Sequence, residues 1–421
     1  MSSSRLWVAP ATLAILLIAA CGSATSPPPI TTPSPSVPAA SLTPSTSPVP
    51  LPSPSGPVPA TLRWEPIGVI PERGANGIVS FDGGYVAYGE TDDLKRPVAW
   101  FSADGRDWAS VQLAGTVPCG SNPEPAATVR HGASNGPQVV LVGSEWPEGS
   151  QPCDGSNARN TRPVAWITSD GREWQRSDPM QTSLVDDWPT AHIVWAIPGG
   201  WEAASGDARG PNVIWQSLGG RMWRQVAEMD YGEDARLVAA AANPDDGRRL
   251  MLVGPTYVHG AIAYLLLTSG DGSTWDEVAH PVGDGWGQYW ILPGSPRTQD
   301  PWVVITGDAA STVVSTSFDL DVWGQQLVPM PAVAALARTR SGLLAIGWSP
   351  EPVDVPSDYT TYLSADGLTW TRLESDVNLH SITDGPAGVL GLAWNGEQAT
   401  VWRLVDTPSA LVPSSAPTRI H

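Results

Sequence analysis

The chain has 421 residues and carries 23 Lys and Arg against 42 Asp and Glu, a net charge of -19. An acidic surface of that kind repels phosphate backbones and anionic headgroups, which excludes nucleic acid and electrostatic membrane docking. The 21 Trp, against 3 Phe and 8 Tyr, mark a structural slot that repeatedly asks for indole, and 42 Gly with 43 Pro fit many short strands joined by turns.

Residues 1–20 open with a short polar stretch containing Arg5 and continue as an apolar run from Ala11 through Ala20. The run is shorter than the roughly 20 apolar residues that cross a bilayer, and it reads as the core of a signal peptide. Ile18-Ala19-Ala20-Cys21 resembles the bacterial lipobox. The resemblance implies a lipidated Cys21 that anchors the chain at the extracytoplasmic face of a bacterial cell membrane. Residues 21–60 are almost wholly Pro, Ser, Thr, Ala and Gly, too polar to offset ordering entropy, and are expected to form a disordered stalk. Residues 407–421 have the same composition and are expected to form a disordered tail, which leaves 61–406 as the folded part.

Within 61–406 a seven-residue phrase, Ser-x-Asp-Gly-x-x-Trp, recurs six times. Its copies start at Ser102, Thr168, Ser217, Ser269, Ser317 and Ser364 and end at Trp108, Trp174, Trp223, Trp275, Trp323 and Trp370. The acid is kept as Asp104, Asp170, Asp271, Asp319 and Asp366 and is replaced by Gly219 in the third copy, and the Gly that follows it becomes Leu320 in the fifth. Starts lie 47 to 66 residues apart, the period of a four-stranded propeller blade. A strand runs into each phrase, as in Val98-Ala99-Trp100-Phe101, and a hairpin precedes that strand, clearest from His192 to Ser205 around Pro198-Gly199-Gly200.

Hairpins number seven, because a last one spans about Ser381 to Trp394 and leads to a strand at Thr400 to Leu404 with no phrase after it. The missing outer strand is expected at the other end, where Leu62-Arg63-Trp64-Glu65-Pro66-Ile67 looks like a segment that follows the phrase. The fold class is therefore all-β: a seven-bladed β-propeller of four-stranded antiparallel blades, with the N-terminal strand closing the last blade. The phrase resembles that of the Asp-box propellers, which include sialidases, sortilin-type receptors and photosystem assembly factors. Here Gly immediately follows Asp, one residue sooner than in the usual Asp box.

The phrase aspartates are expected to staple turns and not to catalyse, since a propeller has one active site while these turns are spread around its rim. The opposite face carries the longer loops, and function is expected there. Candidate binding residues on it are Asp186, Asp187, Trp188, Tyr231, Tyr257 and Trp286, aromatic rings beside carboxylates of the kind that hold sugars or peptides. Cys119 and Cys153, 33 residues between them, fall in loops of one face of one blade and are expected to form a disulfide.

Zinc-ligand spacings are lacking, no cofactor is expected, and Gly132-Ala133-Ser134-Asn135-Gly136 is expected to be a hairpin turn, not a nucleophile elbow. Arg73-Gly74-Ala75 does not match the Arg-Ile-Pro entry of sialidases. The functional expectation is a monomeric, lipid-anchored, non-enzymatic module that binds a protein or glycan ligand. The alternative is a carbohydrate-active enzyme of sialidase-like or glycosidase type, which would need two converging carboxylates.

Overall fold

The computed structural model describes residues 62–71, 74–91, 96–115, 127–145, 161–182, 190–206, 212–231, 235–258, 261–278, 288–307, 312–328, 330–349, 358–373, 377–394 and 398–406. They form 28 strands in seven four-stranded antiparallel sheets, with no helix among the described residues. Each sheet is a meander. In blade 1 the inner strand Ala75–Phe81 pairs with Gly84–Glu90, that with Pro97–Ser102, and that with the outer strand Ala109–Gln112. Blades 2 to 6 repeat this order from inner strands Ala127–Ser134, Ala191–Ile197, Arg236–Ala242, Gln288–Leu292 and Ala332–Thr339. Blade 7 takes Leu379–Gly385, Gly388–Trp394 and Ala399–Asp406 from the C-terminal side and its outer strand, Leu62–Ile70, from the N-terminal side. The seven inner strands touch in cyclic order, blade 7 against blade 1, so the ring is closed as the sequence led us to expect.

Closure dictates the burial. Every blade is covered on both faces by its neighbours, so middle strands such as Val139–Glu145 and Pro97–Ser102 are buried along their whole length and show no period-two alternation. Seven apolar clusters fill the seven gaps between blades; Phe101 of blade 1 meets Trp166 of blade 2 in one, and Leu390 of blade 7 meets Trp100 of blade 1 in another. Trp serves this wedge well because one indole spans the gap. Trp166 and Trp215 also reach back across it, their Nε1–H groups donating to the carbonyls of Ala114 (2.6 Å) and Gln181 (2.7 Å) at the exit of the preceding blade.

Trp64 differs from the phrase tryptophans. It lies two residues inside the closing strand, opposite Leu404, and is buried between blades 6 and 7 with its Nε1–H donating to Thr361 Oγ1 at 3.0 Å. Unlike the six phrase tryptophans, it has no phrase sequence ahead of it, and its indole is held by the neighbouring blade.

The inner strands share one irregularity. Six of them carry an extra residue near their N-terminal end, namely Asn76, Arg130, His192, Val238, Ala334 and His380. Such a bulge interrupts the ladder and re-aims a side chain. In an antiparallel meander the N-terminal ends of first and third strands, and the C-terminal ends of second strands, lie on one face, opposite the phrase turns. The bulges therefore ring the axis at the face that the phrases leave free.

Candidate functional site

The phrase turns are built alike. The residue at the fourth position has positive φ, 84° at Gly105, 74° at Gly171, 72° at Gly220, 79° at Gly272, 74° at Leu320 and 79° at Gly367. Its backbone N–H donates to the Ser or Thr hydroxyl at 2.8 to 2.9 Å in the five copies that contain Asp. In four of those copies one Asp oxygen accepts the backbone N–H groups of the fifth and sixth phrase positions, and Asp104 accepts that of Arg106 at the fifth, all at 2.7 to 3.0 Å. The indole closing all six phrases donates its Nε1–H to the fourth residue's carbonyl at 2.8 to 3.2 Å.

These bonds favour the ionised carboxylate. The backbone donors hold Asp170, Asp271 and Asp319 below the ordinary carboxylate range, and at Asp366 they outweigh a burial that pushes the other way. The turns also wedge into the preceding blade: a Cβ on Gly171 would stand 2.2 Å from Phe101 Cδ2, and one on Gly105 would stand 2.5 Å from Leu390 Cδ1. With their lone pairs engaged in their own turns, the phrase aspartates are dispersed around the rim.

Of the residues singled out on the opposite face, Asp186, Asp187, Trp188 and Trp286 lie outside the described residues, as do Cys21, Cys119 and Cys153. Tyr257 belongs to the strand Arg249–Val258, opposite Ile262, and its side chain is likewise outside the description. Tyr231 follows the outer strand of blade 3. It is half-buried against the cluster between blades 3 and 4, its hydroxyl lies 3.7 Å from Met229 Sδ, and burial together with the charge of Glu277 pushes its phenol up. Ser134, Asn135 and Gly136 form the tip of a hairpin, with Gly136 at φ 96° and its N–H on Ser134 Oγ, and a strand follows in place of a helix.

The residues that the structure does bring together on the open face are Asn76, Tyr359, Asn378, His380 and Trp394, around a cleft of about 570 Å³ where blades 6, 7 and 1 meet. Asn76 and His380 are bulge residues of adjacent inner strands. Tyr359 stands at the start of the third strand of blade 6, and Trp394 ends the second strand of blade 7 with 40% of its surface exposed. His380 Nε2 is 3.2 Å from the carbonyl oxygen of Ala75, which can only accept, so the ring carries its proton on Nε2 and offers Nδ1 as an acceptor. Burial holds its pKa below the usual histidine range, which keeps the imidazole neutral at neutral pH. Burial also pushes the Tyr359 phenol up, so its hydroxyl keeps its proton.

Sequence reasoning missed this cleft because its residues lie in four separate stretches of chain. His380 and Trp394, polar and aromatic residues at the open-face ends of blade 7 strands, were its visible signals.

A second cleft, of about 760 Å³, opens on the face of the phrase turns and is lined by Asp82, Arg338, Arg340 and Asp384 among others. Arg338 and Asp384 serve the fold. Arg338 binds Asp300 at 3.0 Å and the carbonyls of Pro301 and Pro293, and Asp384 accepts the Arg340 backbone N–H at 2.9 Å. Among the described residues no three His, Cys, Asp or Glu side chains gather as a metal site would require.

No protein-family model matches the sequence, and no curated protein matches it either. Solved structures do. The β-propeller domain of Myceliophteria thermophila Cps50 (Swd1) aligns over 81% of this chain and 100% of its own, with 8% identity and a TM-score of 0.52. A protein of unknown function from Dyadobacter fermentans aligns over 83% of this chain and 99% of its own at 12% identity, with a TM-score of 0.42. A Trypanosoma rangeli sialidase mutant displaying trans-sialidase activity aligns over 82% of this chain but 58% of its own, at 12% identity and a TM-score of 0.41. At such identities the likeness concerns architecture alone, and the Cps50 domain is the match that carries it: the chain is a β-propeller.

Proposed function

We propose that the chain is a lipid-anchored, extracytoplasmic propeller of the Asp-box type that works as a non-enzymatic binding module and takes its ligand in the open-face cleft. Acylation of Cys21 would hold it to the membrane, and a Cys119–Cys153 disulfide would brace blade 2. The observation that carries the reading is the cleft itself, where a half-open indole, a protonated phenol, a neutral imidazole and two amides converge. Its described lining offers groups that stack and hydrogen-bond, whereas glycosidase chemistry calls for a pair of carboxylates.

The test is a calorimetric screen of the full chain against oligosaccharides and capped peptides, paired with the Trp394→Ala variant, alongside turnover assays on aryl glycosides and sialosides. Binding that requires Trp394, with no turnover, supports the reading. Turnover above the uncatalysed rate, or binding indifferent to Trp394, overturns it.

A further inference from the structure

We propose that the open-face cleft is a subsite for an uncharged saccharide, one pyranose ring lying on Trp394 while Asn76, Asn378, His380 and Tyr359 hold its hydroxyls. This rests on the reading of the cleft as the ligand site and adds the chemical class of the ligand.

Trp394 is the first reason. Trp100, Trp166, Trp201, Trp215 and Trp302 are among the largest fully buried side chains of this protein, whereas Trp394 leaves 40% of its surface open beside a cleft. An indole face carries the negative lobe of its quadrupole and is apolar and flat, which matches the slightly positive C–H face of a pyranose.

The polar partners are the second reason. A sugar hydroxyl both donates and accepts, and so do the amides of Asn76 and Asn378 and the hydroxyl of Tyr359. His380 adds a fixed acceptor, because its Nε2–H is committed to Ala75. The bulges at Asn76 and His380 place two of these groups on adjacent blades at one level around the axis.

Charge is the third. No described side chain of the lining is ionised at neutral pH, and the chain as a whole carries -19. An anionic sugar would meet a repulsive field without a paired Arg or Lys in the described lining, and a cationic ligand would find no carboxylate there. The cleft's volume of about 570 Å³ falls inside the roughly 300–1,000 Å³ typical of small-ligand sites.

Titration calorimetry of the full chain with maltohexaose, hexa-N-acetylchitohexaose, sialyllactose and a capped neutral tetrapeptide tests the proposal. At least one neutral hexasaccharide is expected to bind, with sialyllactose weaker by about tenfold or more. Trp394→Ala should weaken the neutral sugar by about tenfold or more, the loss typical of a truncated aromatic anchor. Asn378→Ala should weaken it several-fold. Because Asn378 is exposed, that variant keeps the parental melting temperature and guards against a Trp394→Ala chain that fails to fold. If the peptide alone binds, and does so through Trp394, the saccharide assignment falls while the binding-module reading stands. If nothing in the panel binds, or sugar binding ignores both substitutions, the assignment is overturned.

Discussion

At the scale of single residues the six phrases form a natural mutational series, because they share a turn and differ at known positions. The third copy lacks the acid, and there Ser217 Oγ is buried without a hydrogen-bond partner. Gly219 stands where the acid would be; its φ lies outside the left-handed region, and a Cβ built on it meets nothing within 4 Å. Gly219→Asp is therefore expected to stabilise the protein by about 1 kcal/mol, by giving Ser217 and two turn N–H groups an acceptor and by trimming the unfolded chain's freedom. A rise in the chemical-denaturation midpoint at neutral pH checks it, and the gain should fade below about pH 4 as the new carboxyl protonates. The fifth copy tests the opposite balance. Leu320 adopts φ 74°, which costs a non-glycine residue roughly 1–2 kcal/mol, yet its side chain is buried between blades 4 and 5. Leu320→Ala keeps the strain and loses the packing, while Leu320→Gly loses the packing and sheds the strain. The Gly variant is expected to be the more stable of the two by about 1 kcal/mol, the reverse of the usual order.

Between elements, stability resides in the gaps from blade to blade, and the polar devices in two of those gaps can be tested directly. Glu202 of blade 3 and Arg249 of blade 4 form a buried pair at 2.7 Å; Trp195 and Gln216 also donate to the Glu202 carboxylate, and Arg249 spends its remaining donor on the carbonyls of Gly247 and Gly270. With every group satisfied, Glu202→Ala leaves a guanidinium uncompensated inside the ring and is expected to cost about 3–5 kcal/mol in an unfolding titration. The second device is pH-sensitive. His131 on the inner strand of blade 2 accepts the Val194 backbone N–H of blade 3 through Nδ1, and burial lowers its pKa to about 4. The unfolded chain takes up that proton near the ordinary value of about 6.5, so stability present above that pH is lost progressively as pH falls toward about 4. His131→Gln keeps an acceptor without the titration and should flatten the decline over that window, as denaturation at a series of pH values would show. Neither device was legible in the sequence. Glu202 and Arg249 sit 47 positions apart with no motif joining them, and the cleft residues Asn76 and His380 depend on bulges, which follow from ladder register and not from residue type. The phrase was legible because its bonds are local: hydroxyl, acid, left-handed residue and indole satisfy one another within seven positions.

For the whole molecule the decisive feature is closure, and it was readable because the phrase counts blades: six phrases with seven hairpins require an outer strand from elsewhere. The segment Leu62–Ile70 supplies it, pairing along the full length of Ala399–Asp406 and placing Trp64 between blades 6 and 7. Without it, Ala399–Asp406 becomes an open edge and the gap from blade 6 to blade 7 loses its largest buried ring, while the inner part of blade 7 still touches blade 1. Starting the chain at residue 61 is therefore expected to leave the melting temperature unchanged, whereas starting it at residue 71 should lower the melting temperature sharply and produce aggregates on size-exclusion chromatography. Trp64→Ala separates packing from pairing: it keeps the strand and is expected to cost about 3–5 kcal/mol while the protein stays monomeric. If the chain begun at residue 71 melts where the intact protein melts and elutes as a monomer, the ring is held by its inner strands alone and the N-terminal strand is an ornament of blade 7. The eight paired positions and the buried indole argue that it is the clasp.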